Sequence, residues 1–332
     1  MPIVSIIVRT CNRPKLLPRA LQSIQRQTFS DYEILLVNDG GSRERVEAQV
    51  ARFDAAFQQR VRIVHHPAQQ GIPFGLNTGL EHASGEFIAI HDDDDTWEPG
   101  FLSAMVSALR HPSQPQVRGV VCQTRLVVEE MDDKGRVRLK YTESFNALDG
   151  ISLWEMGSGN QFPPISMLYR RDVHDEVGGF DTTLPVLEDW DFNLRFLCHY
   201  DMDVLPQTLA NYHHREPTGK TPYGNTVVEK LDTHAIYDSA LRNRYLRQDL
   251  KTGNFGLGFM MNLSRGNALV VRQMGEQVRA SNEEVQHLIH SSTMLMTGGR
   301  SIQLQSSLPS EGDTTSDSPS TEPSEPNPPK DP

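Results

Sequence analysis

Four consecutive aspartates, Asp92 to Asp95, stand at the end of an apolar segment that begins at Phe87. Carboxylates held a few ångströms apart repel one another, and burial raises their pKa values further. A divalent cation removes this cost, and oxygen ligands favour a hard ion, Mg2+ or Mn2+, over zinc. The run therefore predicts a metal site, with a solvated acidic loop as the alternative. The spacing and the final glutamate of an EF-hand calcium loop are absent.

A second acidic cluster, Glu188, Asp189 and Asp191, follows a Gly-Gly-Phe-Asp turn at 178–181. A carboxylate in such a cluster can serve as general base toward a hydroxyl group. The alternative is structural, because the helix dipole favours acids in a first turn and Asp191 has the i, i+4 spacing of an ion pair with Arg195.

The first hundred residues alternate strand and helix patterns. Apolar runs rich in β-branched residues predict strands, and the segments between them have helical spacing. The predicted strands are 2–9, 32–38, 61–65 and 87–90, and the predicted helices lie at 16–24, 44–57 and around Asn77. This alternation predicts an α/β fold with a doubly wound, mostly parallel, Rossmann-like sheet. Ligands bind at the carboxyl ends of such strands, where Asp39 and the four aspartates lie.

The second half has a different pattern. It predicts a hairpin of 117–128 and 136–141 around a turn at 132–135, a strand at 165–169 and a helix at 189–198. Two helical segments follow, at 226–247 and 276–290. From 305 onward the chain is rich in Ser, Thr, acids and Pro, which predicts disorder. We therefore expect a domain at 1–215, with halves at 1–100 and 101–215, then a helical extension at 216–304 and a disordered tail at 305–332.

Composition excludes several classes of protein. The chain has 32 basic and 43 acidic residues and a net charge of −11, opposite to that of a nucleic-acid binder. Its three cysteines are far apart, which argues against a disulfide framework and a structural zinc site. The N-terminus lacks the basic start of a signal peptide, and no apolar stretch is long enough to span a membrane. A cytoplasmic location is expected, with peripheral contact at the inner face of the membrane left open.

Four ordered segments resemble the motifs of family 2 glycosyltransferases of the GT-A fold. They are VSIIVRTCNR at 4–13, YEILLVNDGGS at 32–42, the segment 71–85, and IAIHDDDDTWEP at 88–99, which resembles the D-x-D segment. The cluster at 188–191 resembles the E-D-x-D segment of the same family. The resemblance covers residues 3–215. It implies an inverting glycosyltransferase that moves a sugar from a nucleoside diphosphate to a hydroxyl acceptor.

The resemblance also assigns nucleotide contacts. It implies that Asp39 accepts a hydrogen bond from the pyrimidine N3–H, and that Thr10 contacts the nucleotide through its hydroxyl or backbone. Asp92 is expected at the ribose, with Asp93 sharing its role. Arg13 is expected at a phosphate or, alternatively, at the helix surface.

Related proteins carry an Arg-Asn pair before the acidic strand, where this chain has Leu76 and Asn77. Asn77 is expected to contact the nucleotide, and another basic residue must replace the arginine.

The metal ligands implied are Asp94 and Asp92, with His214 as a further candidate. His213 and His214 point to opposite faces of a strand, so at most one can reach the site. Asp189 is the expected general base, with Glu188 and Asp191 as alternatives.

The expected donor is a UDP-sugar, with dTDP- and GDP-sugars as alternatives, and the expected acceptor is a glycan, a lipid-linked molecule or a small hydroxyl compound. Two other functions compete with this one. A sugar nucleotidyltransferase is disfavoured, because the turn at 10–14 is not a long glycine-rich phosphate loop. A non-catalytic protein that binds nucleotide or metal is the other alternative.

Overall fold

The computed structural model describes residues 1–131, 137–216 and 231–296. The predicted hairpin turn, the start of the helix predicted from 226, and the predicted disordered tail lie outside these ranges. The chain divides into two compact units, Met1–Val271 and Arg272–Pro332. The sheet and both acidic clusters belong to the first unit.

The sheet is mixed. Its strands are β1 (Val4–Thr10), β2 (Tyr32–Asp39), β3 (Val61–His66), β4 (Phe87–Asp92), β5 (Thr96–Trp97), β6 (Val117–Met131), β7 (Val137–Asn146), β8 (Met167–Arg170) and β9 (Asp201–Glu216). Within the described residues their order is β3-β2-β1-β4-β8-β6-β9-β5, and β7 pairs with β6. The strands β1 to β4 are parallel, as predicted, whereas β8 runs antiparallel to both of its neighbours.

Helices cover both faces of the sheet. They are α1 (Leu17–Gln25), α2 (Arg43–Val50), α3 (Ala55–Gln58), α4 (Ile72–His82), α5 (Phe101–Arg110), α6 (Leu153–Ser158), α7 (His174–Val177), α8 (Glu188–Leu197), α9 (Leu231–Thr252) and α10 (Leu257–Met296). The predicted helix at 44–57 is in fact two helices, because the side chain of Asp54 caps a new one by accepting from the Phe57 N–H at 2.8 Å. The predicted C-terminal helices are confirmed, although α10 begins well before residue 276.

The strand β1 is buried on both faces, as its apolar sequence predicts. Val4, Ile6 and Val8 join one apolar cluster, and Ile7 joins a second cluster on the opposite face. Helix α4 packs closely on the second face, because a Cβ added to Gly79 would lie 2.4 Å from Ile7 Cγ2. This close packing fixes how near α4 lies to β1.

The predicted hairpin is confirmed as the antiparallel pair of β6 and β7. The strand predicted at 165–169 begins as a 3-10 turn at Pro164–Ser166, and β8 follows it. The long strand β9 runs parallel to β6 and antiparallel to the two-residue strand β5. Because β5 directly follows the acidic run, this pairing brings the end of β9 beside the four aspartates.

The start of the helical extension belongs to the first compact unit. Leu241 of α9 and Met261 of α10 are buried in the apolar cluster that contains Trp190. Arg242, also buried, donates hydrogen bonds to the carbonyl oxygens of Gly157 at 2.8 Å and Met261 at 2.7 Å. The division of the chain at residue 215 stays a prediction. Within the described ranges, no helix is long and apolar enough to cross a membrane.

Candidate active site

Three parallel strands end at one edge of the sheet. Thr10 ends β1, Asp39 ends β2 and Asp92 ends β4, and the register pairs Arg9 of β1 with Asp92 and with Val37. Because parallel strands end at the same edge, the predicted nucleotide residues are brought together there.

Asp93 is held by the β1 end. The Thr10 hydroxyl donates to Asp93 Oδ2 at 2.6 Å, and Arg13 Nη1 lies 3.3 Å from Asp93 Oδ1. Burial raises the pKa of Asp93, and the charge of Arg13 opposes this. The hydroxyl of Thr10 is therefore used in positioning the acidic turn.

Asp94 lies within a cluster of arginines formed by Arg13, Arg19 and Arg215. Arg13 Nη1 is 3.2 Å from Asp94 Oδ2, Arg215 donates to the same oxygen, and Arg19 donates to the Asp94 carbonyl oxygen at 2.7 Å. Burial would raise the pKa of Asp94, but Arg215 and Arg13 lower it below its ordinary value. Asp94 is therefore ionised at neutral pH.

The neighbouring aspartates differ from Asp94. Burial and the charges of Asp94 and Asp93 raise the pKa of Asp92 to about 7. Burial and the charges of Asp94 and Asp92 also raise the pKa of Asp95 well above its ordinary value. Asp94 is thus the one aspartate of the four whose pKa is lowered.

A buried network on β6 and β9 supports this turn. Glu129 accepts from Arg19 at 2.6 Å and lies 3.0 Å from His213 Nδ1, while the His213 N–H donates to Asp95 Oδ1 at 2.8 Å. Sequence reasoning missed Glu129 and the role of Arg215 as a partner of Asp94. Glu129 directly follows the predicted strand 117–128, and an acid at that place was the available signal.

The cluster suits a hard divalent cation chemically. Asp95 Oδ2 and His214 Nε2 are buried and have no hydrogen-bond partner among the described residues. In the same residues, no three His, Cys, Asp or Glu side chains are grouped so as to hold a metal by themselves. Mg2+ is commonly held by one or two carboxylates together with substrate phosphates, so a cage built of protein alone is not required.

Asp39 is fully buried at the end of β2. Its Oδ1 accepts from the Gln70 N–H at 2.8 Å and lies 3.0 Å from His66 Nδ1. Its Oδ2 accepts from the Gly71 N–H at 3.0 Å and from Arg9 Nη2 at 3.2 Å. Burial would raise the pKa of Asp39, but these donors lower it.

Asn77 connects α4 to the turn before α8. Its Nδ2 donates to the Phe180 carbonyl oxygen at 2.8 Å, and its Oδ1 accepts from the Phe180 N–H at 2.8 Å. Both ends of the amide are used in this bridge, so the geometry gives no support to the predicted nucleotide contact. The side chain of Arg9 packs against Gly75, the residue before Leu76, so a basic residue lies close to the position of the missing arginine.

Glu188 and Asp189 begin α8. Leu187, just before them, has φ +66°, a left-handed conformation that is costly for a residue with a side chain. Asp189 Oδ2 accepts from Asn160 Nδ2 at 2.7 Å, and Oδ1 accepts from the Trp190 N–H at 2.8 Å. Sequence reasoning missed Asn160, which carries no local signal.

This second cluster lies close to the first. Asp189 and Ile90 of β4 line the same small cavity. Burial and the charge of Asp189 raise the pKa of Glu188 to about 8, and the charge of Asp92 contributes. Burial also raises the pKa of Asp189, although Asn160 opposes it. Asp92 and the start of α8 therefore lie near each other, and we call the space beside them the crevice.

Asp191 points away from this crevice into a structural network. It accepts from Arg195 at 2.8 Å, from Arg244 at 2.8 Å and from the Tyr245 hydroxyl at 2.8 Å. The ion pair with Arg195 is the structural alternative considered above, and these contacts favour it over a role of Asp191 as general base. Trp190 is likewise a core residue, at 1% exposure.

We expect Asp191→Ala to lower the free energy of unfolding by about 1.5–3 kcal/mol, because Arg195, Arg244 and Tyr245 lose a buried acceptor. Urea unfolding measures this loss, and nucleotide affinity should not change. Asp181→Ala, which removes a more exposed partner of Arg244, is the control and should lower the free energy of unfolding by less. If Asp191→Ala keeps the stability of the wild type but loses turnover, Asp191 has a catalytic role and not a structural one.

Known proteins share this sequence pattern. Residues 5–178 match the model of glycosyl transferase family 2. The chain is 28% identical over 210 residues to the uncharacterized glycosyltransferase YwdF of Bacillus subtilis, covering 63% of this chain and 73% of that protein. It is 27% identical over 232 residues to a PGL/p-HBAD biosynthesis glycosyltransferase of Mycobacterium bovis, covering 69% of this chain and 82% of that protein.

The chain is also similar to a solved structure. It is the mannosyltransferase PcManGT from Pyrobaculum calidifontis in complex with GDP-Man and Mn2+, with a TM-score of 0.49 and 20% identity. The match covers 67% of this chain and 59% of that one. The α/β fold predicted from the sequence is confirmed. Since the family match at 5–178 spans more than half of the chain, this protein belongs to glycosyl transferase family 2.

Proposed function

We propose that the protein transfers a sugar from a nucleoside diphosphate sugar to a hydroxyl acceptor with inversion at the anomeric carbon. The observation that carries this proposal is the nearness of two acidic clusters, because Asp189 lines a cavity with Ile90 of β4 and the charge of Asp92 helps to raise the pKa of Glu188. One cluster, at 92–95, is surrounded by arginines, and the other contributes Asp189 from the start of α8.

The binding half of the crevice suits a diphosphate. Arg13 and Arg215 present positive charge beside Asp94, and guanidinium groups bind phosphate oxygens well. Asp92, at the end of β4, is proposed to bind the ribose hydroxyls, and Asp93 positions this turn through Thr10. A Mn2+ or Mg2+ ion held by Asp94 and Asp92, with His214 nearby, would supply Lewis-acid stabilisation of the departing diphosphate.

Asp189 is proposed to act as general base. Its carboxylate takes the proton from the acceptor hydroxyl while that oxygen bonds to the anomeric carbon. The bond from this carbon to the diphosphate oxygen breaks, and its electron pair leaves with the diphosphate. Asn160 and the Trp190 N–H fix the orientation of the carboxylate. No enzyme nucleophile is needed, so one displacement inverts the configuration.

We also propose identities for the donor and the acceptor. A UDP-sugar is the first candidate, with dTDP- and GDP-sugars as alternatives. The glycan, lipid-linked or small hydroxyl acceptor rests on the sequence resemblance alone. The proposed cytoplasmic location, with the inner face of a membrane as the alternative, comes from the sequence pattern and not from that resemblance.

Calorimetric titration tests this function directly. We expect one of UDP, dTDP and GDP to bind in the presence of Mn2+ and to bind at least about tenfold more weakly in EDTA, because the metal joins the carboxylates to the diphosphate. ADP is the control base and should bind poorly. Absence of binding by all four nucleotides would overturn the proposed function.

A further inference from the structure

Arg242 of α9 is a charged residue in an apolar part of the core. Its side chain is only 6% exposed, and its Cζ lies 4.8 Å from the centroid of the Trp190 ring. Trp190 and Met261 belong to the apolar cluster that this arginine enters. Burying a guanidinium group is costly unless it is paired and hydrogen-bonded, so the position needs a physical reason beyond the fold of α9.

The contacts of Arg242 use all of its donors. A guanidinium group has five N–H donors in a rigid fork. Its Nη1 donates to the carbonyl oxygens of Gly157 at 2.8 Å and Met261 at 2.7 Å, and its Nη2 donates to that of Ser158 at 3.0 Å. Nε and Nη2 each also donate to Asp238 at 3.0 Å. One side chain therefore fixes two consecutive carbonyl groups at the end of α6.

The residues that follow these carbonyl groups hold the proposed general base. Asn160 lies two residues beyond Ser158, and its Nδ2 donates to Asp189 Oδ2 at 2.7 Å. Asn193, one turn further along α8, donates to Asn160 Oδ1 at 3.1 Å, so both ends of the Asn160 amide are used. The position of Asn160 depends on the 157–160 segment, which Arg242 fixes at its beginning.

Trp190 gives a second connection between α9 and the base. Its backbone N–H donates to Asp189 Oδ1 at 2.8 Å, and its indole N–H donates to the Met156 carbonyl oxygen at 2.7 Å. Arg242 lies over this indole ring, and a cation in that place is attracted by the electrons of the ring face. Each oxygen of the Asp189 carboxylate is therefore held by a group whose position depends on Arg242.

We propose that Arg242 is a positioning residue for the proposed general base: by fixing the 157–160 segment and the Trp190 ring, it sets the direction in which the Asp189 carboxylate points. The inference rests on the proposed function and extends it to the C-terminal helices. A general base must lie within hydrogen-bond reach of the proton that it takes. On this proposal residues 1–215 do not suffice for full turnover, because α9 orients the base.

The test combines Arg242→Met with Asp189→Asn in a double-mutant cycle on the full chain. Turnover is measured as release of nucleoside diphosphate from UDP-glucose, UDP-N-acetylglucosamine, dTDP-glucose and GDP-mannose, with water as the acceptor. Calorimetry measures the binding of UDP, dTDP and GDP. Arg242→Lys serves if Arg242→Met fails to fold, since lysine keeps a positive partner for Asp238 but lacks the fork that spans two carbonyl groups.

Two control variants separate positioning from packing. Arg265→Met removes an exposed arginine of α10 whose Nη1 lies 3.5 Å from the Ser158 carbonyl oxygen, so it touches the same segment only weakly. Leu241→Ala removes a side chain of α9 that is 1% exposed and packs in the same apolar cluster. It should destabilise the fold, as truncation of a core side chain does, without removing a hydrogen bond to the 157–160 segment.

We expect Arg242→Met to lower kcat by about 10- to 100-fold, as for a misplaced reacting group, while nucleotide affinity stays within about twofold. In the Asp189→Asn background the same substitution should lower kcat by less than about twofold further, because residues that act as a unit are not additive. Arg242→Lys should lie between the wild type and Arg242→Met. Both control variants should keep kcat within about twofold of the wild type.

Three results would overturn the role of Arg242. They are an unchanged kcat in Arg242→Met, an equal fold-loss from this substitution in the wild type and in Asp189→Asn, and a loss in Leu241→Ala as large as in Arg242→Met. Each of them, with a large loss in Asp189→Asn alone, leaves the proposed function standing. A wild type that binds no nucleoside diphosphate and releases none overturns both proposals.

Discussion

Asp189→Asn is expected to lower kcat by about 10²- to 10⁴-fold, the usual contribution of a general base. The amide has the same size as the carboxylate but cannot take the proton from the acceptor. The loss should appear in kcat and not in donor affinity, because Asp189 is proposed to act on the acceptor and not on the nucleotide. Release of the nucleoside diphosphate measures turnover, and calorimetry measures donor binding.

The pH dependence of the wild type supports the same assignment. Burial raises the pKa of Asp189, and the base works only when it is deprotonated. We therefore expect kcat to fall as pH drops through a value above the ordinary pKa of an aspartate, and Asp189→Asn should lack this acid limb.

Glu188→Gln is the matched control for this variant. Burial and Asp189 raise the pKa of Glu188 to about 8, so it is mostly protonated at neutral pH and is a poor base there. We expect Glu188→Gln to lower kcat by less than Asp189→Asn does. If Asp189→Asn keeps most of the wild-type kcat while Glu188→Gln loses it, Glu188 is the base instead.

Asp94→Asn is expected to lower kcat by about 10²- to 10³-fold, as for loss of one electrostatic stabiliser of the departing group. Of the four aspartates, Asp94 is the one whose pKa is lowered, by Arg215 and Arg13, whereas burial raises the pKa values of Asp92, Asp93 and Asp95. The variant should also lose the dependence of nucleotide binding on Mn2+. Calorimetry with and without EDTA measures that dependence.

This variant will also affect stability, which has to be measured separately. Arg215 is 1% exposed and loses one of its ionised partners, and removing one member of a buried ion pair costs about 3–5 kcal/mol. Glu129→Gln is the control, because it removes a carboxylate from Arg19 and Arg215 without removing a predicted metal ligand. It should lower stability and keep the response to Mn2+. If Asp94→Asn keeps that response, Asp94 is not a metal ligand.

The amino-acid sequence by itself determined where chemistry could occur. Buried strands, their ends and the acids that follow them are local features, because strand periodicity and turn residues act over a few positions. The alternation of strands and helices therefore predicted a parallel sheet whose ends bring Thr10, Asp39 and Asp92 together. The family motifs lie on these same segments.

Only the tertiary structure decided which of these groups are still available to a ligand. Asp94 and Arg215 meet across 121 positions, and Asn77 is bonded to Phe180 across 103. Such partners leave no local pattern, because long-range contacts depend on how strands and helices pack. Four donors use the acceptor positions of Asp39, and the network around Asp191 favours a structural role for that residue. Acid type and spacing cannot separate these outcomes, since hydrogen-bonding capacity is set by neighbours that are distant in the chain.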